Sequence, residues 1–235
     1  MTDFGDSLQL AMGLILSGDE SLWAIVFLSL KVSLTAVAIA GLIGMPFGAF
    51  LAVMRFPGRG ALAVVVNALM GLPPVVVGLS VYLMLSASGP FGVLQLLYTP
   101  SAMIVAQVLL VLPIVAALSR QVVEELYGEY REQFLSLGVA GLRTIPTLLW
   151  EGRFGLMTAL LAGVGRAIAE VGAVMIVGGN INHVTRVMTT TIALETSKGD
   201  LGMALALGVV LIVLAISINV AMSLAARSSA RYAYA

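Results

Sequence analysis

The stretches without a single Asp, Glu, Lys or Arg constrain this chain more than anything else in it. Gly60 to Ser119 carries no charge, and neither do Val32 to Met54 or Leu201 to Ala226. A helix needs about 20 mostly apolar residues to cross the hydrocarbon core of a bilayer. Gly60 to Ser119 is too long for one crossing and suits two, with the turn chemistry of Ser86-Ala-Ser-Gly-Pro-Phe-Gly92 between them. Phe154 to Ile181 is apolar except at Arg166 and Glu170. The expectation is an all-α membrane protein with five spans, at roughly 22–54, 60–86, 98–120, 153–180 and 200–227.

Composition agrees. Of the 235 residues, 60% are hydrophobic and only 10% charged, against about 25% charged in a soluble domain. Twelve basic residues balance twelve acidic ones, which excludes the basic face that nucleic-acid binding needs. The chain has no cysteine and one histidine, His183. Thiolate metal sites, a Cys nucleophile and paired-His metal sites are therefore excluded. No metal site and no catalytic residue is expected.

Ahead of the first span, Leu8, Leu10, Met12, Leu14, Ile15 and Leu16 form an apolar stretch between Asp6 and Asp19. It is too short to cross and suits a helix lying in the interface. The acidic Asp3 and Asp6 argue against a cleaved signal peptide, whose head is basic. Lys and Arg collect on the cytoplasmic side of membrane proteins. A cytoplasmic C-terminus places Arg55, Arg59, Arg120, Arg131, Arg143, Arg153, Arg227 and Arg231 inside, and leaves Arg186 and Lys198 outside. The expected topology has the N-terminus out and the C-terminus in.

Residues 121–152, between the third and fourth spans, are charged yet keep apolar residues such as Phe134, Leu135, Leu137, Val139 and Leu142. An amphipathic segment of this length predicts two short helices broken at Gly138 and Gly141. It serves either as a docking surface for a cytoplasmic partner or as an interfacial helix on the bilayer.

Glu132-Gln-Phe-Leu-Ser-Leu-Gly138 resembles the E-x-x-x-x-x-G pattern of the "EAA" loop of ABC-importer permeases, with Gln133 and Phe134 in place of two alanines and Trp150-Glu151 in place of Leu-Pro. Gly71-Leu-Pro-Pro-Val-Val-Val-Gly78 is similar to the proline-bearing second span of the molybdate and sulfate type. Gly165-Arg-Ala-Ile-Ala-Glu-Val-Gly-Ala-Val174 is similar to a segment of the same oxyanion group. Glu170 to Asn180 and Ile192 to Asp200 look most like tungstate-uptake permeases. The resemblance implies the type I ABC-importer permease fold, one permease domain over 1–235, and a place in a bacterial or archaeal plasma membrane. It also implies a homodimer, a cytoplasmic ATPase dimer holding ATP and Mg, an external substrate-binding protein, and contact with membrane lipid. Glu132, Gln133, Phe134, Leu137 and Gly138 would then couple to the ATPase. The cargo would be tungstate or molybdate; the alternatives are sulfate, or a self-sufficient secondary transporter or channel. The chain contains no G-x-x-x-x-G-K-[ST] phosphate loop of its own.

Arg166 and Glu170 are four apart, which places them on one face of a continuous fourth span. Charges at that depth pair or face a water-filled interior. They form a structural ion pair, or Arg166 lends positive potential to a passing anion. Gly165 and Gly172 recur at helical spacing and would allow close helix approach. Pro73 and Pro74 remove two backbone donors mid-span, so the helix should kink or unwind there, lining the pathway or simply bending. Gly178, Gly179 and Asn180 fall at the outer end, where a gate would sit. Pro46 and Pro113 read as ordinary membrane-helix kinks. Thr189 to Thr191 and Glu195 to Asp200 read as a solvated outer loop, and His183 as a surface residue.

Overall fold

The computed structural model describes residues 4–233, and the regular structure among them is entirely helical. The helices are α1 (Phe4–Leu16), α2 (Glu20–Val53), α3 (Arg59–Leu69), α4 (Pro74–Leu85), α5 (Pro100–Ser136), α6 (Ile145–Glu151), α7 (Arg153–Ile168), α8 (Gly172–Gly178), α9 (Met188–Lys198) and α10 (Leu201–Ala233). Single 3-10 turns occupy Gly92–Leu94 and Gly141–Thr144.

Among the described residues, α2, α5 and α10 are each long and apolar enough to cross a membrane unbroken. The expected second and fourth spans are instead bent pairs, α3 with α4 and α7 with α8. Five crossings result only if each bent pair counts as one. The first break follows from Pro73 and Pro74: the N–H groups of Met70, Gly71 and Leu72 fall back on carbonyls three residues earlier, and Pro74 restarts the helix at its first turn. Pro46 and Pro113 lie inside unbroken helices.

The helix of the third span does not stop near Arg120. α5 runs on to Ser136, because no proline interrupts 121–136 and most of those residues favour helix. The 37 residues of α5 reach about 55 Å at 1.5 Å each, well beyond a hydrocarbon core of about 30 Å. The first of the two short helices expected in 121–152 is therefore the end of α5, and only α6 is separate. The break falls at Gly138 and Gly141, both with left-handed backbone (φ 69° and 61°).

The chain divides into two compact units. The first comprises 1–35, 73–107 and 168–217. In it α4 and α8 pack with their backbones almost touching: a Cβ on Gly78 would lie 2.8 Å from Cα of Ala173, and one on Gly172 would lie 3.0 Å from the Val75 side chain. α1 buries Ser7 and Ala11, and its Leu10 lies beside Gly202 of α10. Asp19 caps α2 by accepting hydrogen bonds from the Leu22 N–H (2.8 Å) and the Ser21 hydroxyl.

The second unit comprises 36–72, 108–167 and 218–235. Its core joins Val37 and Ala40 of α2 to Val111 and Val115 of α5 and Ala167 of α7. A second cluster joins Ala49, Ala52 and Val53 to Val123 of α5 and Leu148 of α6.

Candidate translocation and coupling sites

The residues expected to line a pathway fall mostly in the first unit, around the starts of α4 and α8. α7 ends at Ile168, so Glu170 sits in the break before α8. Arg166 and Glu170 therefore do not share a face of one continuous helix, and that expectation is corrected. The reason is visible in Glu170 itself, which is only 3% exposed. Its Oε1 accepts the N–H of Ala173 at 3.0 Å, and its backbone carbonyl accepts the Thr189 hydroxyl at 2.7 Å. The carboxylate thus satisfies a backbone donor at the start of α8 that an unbroken helix would have satisfied internally. Arg166 is half-buried near the end of α7. Gly165 has open space where a Cβ would stand, so it marks no close approach of helices within the chain, whereas Gly172 does.

The Gly178-Gly179-Asn180 corner is built on direct contacts. Gly178 donates no side chain but its carbonyl accepts the Thr185 hydroxyl at 2.6 Å, and that oxygen in turn accepts the Ile181 N–H at 2.9 Å. Met103 covers Gly178, and Gly179 (φ 69°) lies against the Tyr98 ring. Tyr98 in turn donates its N–H to Val177 at 3.0 Å and meets the Tyr82 ring edge-on. The side chain of Asn180 is turned to Thr190: its Oδ1 accepts the Thr190 hydroxyl at 2.9 Å, and its Nδ2 donates to the Thr190 carbonyl at 3.4 Å.

The segment read as a solvated outer loop is corrected. Residues 188–198 form α9, and Thr189, Thr190, Thr191 and Glu195 are buried. The three hydroxyls are consumed by Glu170 O, by Asn180 or the Val187 carbonyl, and by the Val187 carbonyl at 2.7 Å. The Met188 N–H donates to Ser29 of α2 at 2.8 Å. Sequence reading missed these contacts of Ser29, Thr185, Thr189 and Thr190, because each hydroxyl meets a partner on another element. Lys198 and Glu195 pair at 3.0 Å, and His183 is exposed as expected.

The coupling candidates belong to the second unit. Glu132, Gln133 and Phe134 ride on the last turns of α5, and Leu137 and Gly138 form the turn after it. Glu132, Gln133, Leu137 and Gly138 are exposed, whereas Phe134 is half-buried against the cluster of Leu148 and Val53. Leu137 is 70% exposed, with Leu135 and Leu142 open as well. Large apolar groups left open on a charged helix end beyond the span make a surface suited to a protein partner.

Another structural arrangement escaped the sequence reading. Arg59 donates to the carbonyls of Leu51 (2.6 Å) and Ala52 (3.2 Å) at the end of α2, and to Glu124 of α5 (2.7 Å). Glu124 also accepts from Arg120 at 2.6 Å. An arginine shortly past a helix end is suited to bind its last carbonyls, a role that counting Arg59 as an orienting charge does not reach.

Residues 44–231 match the family described as binding-protein-dependent transport system inner membrane component. The chain is 43% identical over 211 residues to the tungstate uptake system permease protein TupB of Peptoclostridium acidaminophilum, covering 90% of this chain and 92% of that protein. It is 40% identical over 193 residues to a probable anion ABC transporter permease protein of Haloferax volcanii, covering 80% and 83%. A sulfate transport system permease protein, CysT of Salmonella typhimurium, is 30% identical over 195 residues, covering 77% and 69%. With its apolar spans and exposed elbow, the chain belongs to the binding-protein-dependent transport system inner membrane component family and is a multi-pass ABC-importer permease of the type I fold.

Proposed function

We propose that this chain is the permease of a tungstate importer, with molybdate as a second cargo of the same size and charge, and that it works as a homodimer. The near-full-length likeness to a tungstate uptake permease carries the reading, the sulfate permeases being less similar. ATP and Mg sit on a separate ATPase dimer, which docks on Glu132, Gln133, Leu137 and Gly138, with Phe134 holding that elbow to the body of the second unit. An external binding protein supplies affinity and delivers the anion. Eight arginines on the side of the elbow, against Arg186 and Lys198 on the other, support an elbow on the cytoplasmic face, the N-terminus outside and the C-terminus inside, in a bacterial or archaeal plasma membrane.

The dianion needs a polar seam that opens alternately to either side, not a deep site. Pro73, Pro74, Arg166, Glu170, Gly178, Gly179 and Asn180 are the residues assigned to that seam or its gate. Glu170 acts there as a positioning residue, since a bare carboxylate would repel the cargo and this one is committed to Ala173. Arg166 supplies the positive potential. ATP-driven closure of the ATPases moves the elbow, the spans tilt, and the seam opens outward; hydrolysis returns it.

Glu132→Lys reverses an exposed charge on the elbow, and Gly138→Pro forbids the φ of 69° there. Each is expected to lower ATP-dependent tungstate uptake in vesicles by at least about tenfold, the equivalent of about 1.4 kcal/mol in coupling. Co-purified ATPase should fall in parallel while the amount of permease in the membrane stays constant. Unchanged uptake in both variants contradicts the docking assignment.

A further inference from the structure

The second unit carries a groove of about 580 Å³ that the transport reading does not use. One wall is α2, through Gly41, Leu42 and Pro46; the other is α7, through Met157 and Leu160. Leu160 seats directly against Gly41, where a Cβ would stand 2.7 Å from its Cδ2. From Ala38 to Pro46 the groove follows α2 for about 12 Å at 1.5 Å per residue. Every lining side chain is apolar except Arg153, at the start of α7.

A groove without polar partners does not hold ordered water, and this one lies on helices that cross hydrocarbon, where the available apolar solvent is lipid. Arg153 then decides which lipid. Its guanidinium stands 5.2 Å from the centroid of the exposed Trp150 ring and 4.8 Å from that of Phe154, and one N–H donates to the Trp150 carbonyl at 2.8 Å. Two rings and a carbonyl hold the fork in place, and the exposed side chain keeps further donors turned outward. An exposed tryptophan beside an arginine at a helix end is the pairing that marks the headgroup level of a bilayer. We propose that the groove takes an acyl chain of an anionic phospholipid, and that Arg153 binds its phosphate. The lipid belongs to the leaflet on the side of the α5–α6 elbow, where it braces α2 against α7.

The test uses the full-length chain, extracted in mild detergent and exposed to phosphatidylglycerol or phosphatidylethanolamine, with bound lipid counted by native mass spectrometry. The wild-type chain should retain the anionic lipid about fivefold more than the zwitterionic one, as one arginine near a charged headgroup provides. Arg153→Gln should bring the two lipids to parity, and Arg153→Lys should keep most of the preference. Arg143→Gln, an exposed arginine outside the groove, should leave the preference intact. Ala38→Trp, which fills the groove, should lower retention of both lipids. Equal retention of the two lipids by the wild-type chain overturns the proposal, as does an Arg153→Gln or Ala38→Trp variant that binds like wild type. The chain lacks cysteine, so a lone Leu42→Cys is a clean probe. Disulfide formation between two copies at that position, with no lipid bound, would assign the groove to a second copy and equally overturn it.

Discussion

Glu170 shows how one buried carboxylate can serve a break in a membrane helix. Ala173 would find no partner for its N–H after the helix stops at Ile168, and an unpaired donor in that setting costs several kcal/mol. The carboxylate accepts it, and Thr189 in turn holds the Glu170 carbonyl. Thr189→Val keeps the shape and removes the hydroxyl, so the variant should lose about 1–3 kcal/mol, read as a lower thermal midpoint in detergent, while Thr189→Ser stays close to wild type. In the same unit, Asp19 caps α2 from a half-buried position. The Ser21 hydroxyl and then the Leu22 N–H hold its pKa below the ordinary value of 3.8. A depressed carboxylate contributes stability above its unfolded pKa and loses it as pH falls through the folded one. The wild-type chain should therefore be more stable than Asp19→Ala by about 1 kcal/mol at neutral pH, with the gap closing only below the ordinary aspartate range. A gap independent of pH down to that range and beyond would remove Asp19 from the cap.

At the scale of elements, α4 and α8 are short helices that start at breaks and meet backbone to backbone. Gly78 is the contact that permits this, since any side chain there meets the Cα of Ala173 at 2.8 Å, and main chain cannot yield as a flexible side chain does. Gly78→Ala should therefore cost about 1–3 kcal/mol through overpacking, measured by thermal unfolding. Gly165→Ala, where nothing stands within 4 Å, should cost almost nothing. The same elements show what pattern alone could reach. Pro73-Pro74, the Ser86 to Gly92 turn, and the pair of glycines at 138 and 141 state their backbone chemistry locally, and the helices break there. The overrun of α5 follows local helix propensity, whereas the burial of Thr189 to Thr191 depends on tertiary partners. Ser29 and Met188 meet across 159 residues of sequence. Three threonines beside Glu195 and Lys198 read as solvated because their hydroxyls carry no mark of the buried acceptors they satisfy. The spacing of Arg166 and Glu170 does not by itself assign them a common helix face, because spacing gives a face only while the helix continues and α7 ends at Ile168.

At the scale of the whole molecule, the candidate pathway residues cluster in one compact unit, apart from Arg166, and the coupling residues in the other. Family membership was legible from Glu132 to Gly138 and from Gly165 to Val174, because backbone turns and buried charge leave strong traces in sequence. The tungstate-type likeness was legible from Glu170 to Asn180 and Ile192 to Asp200, though tungstate and molybdate present one shape and one charge to any seam that transports them. In the proposed mechanism this permease is driven by a separate ATPase through the elbow at Glu132 to Gly138. Liposomes containing the purified chain alone should equilibrate or exclude labelled tungstate. Liposomes containing the chain, its ATPase and its binding protein should accumulate the anion against a gradient only when ATP is supplied on the ATPase side. Accumulation by the chain alone, with no nucleotide and no ATPase present, would contradict the account.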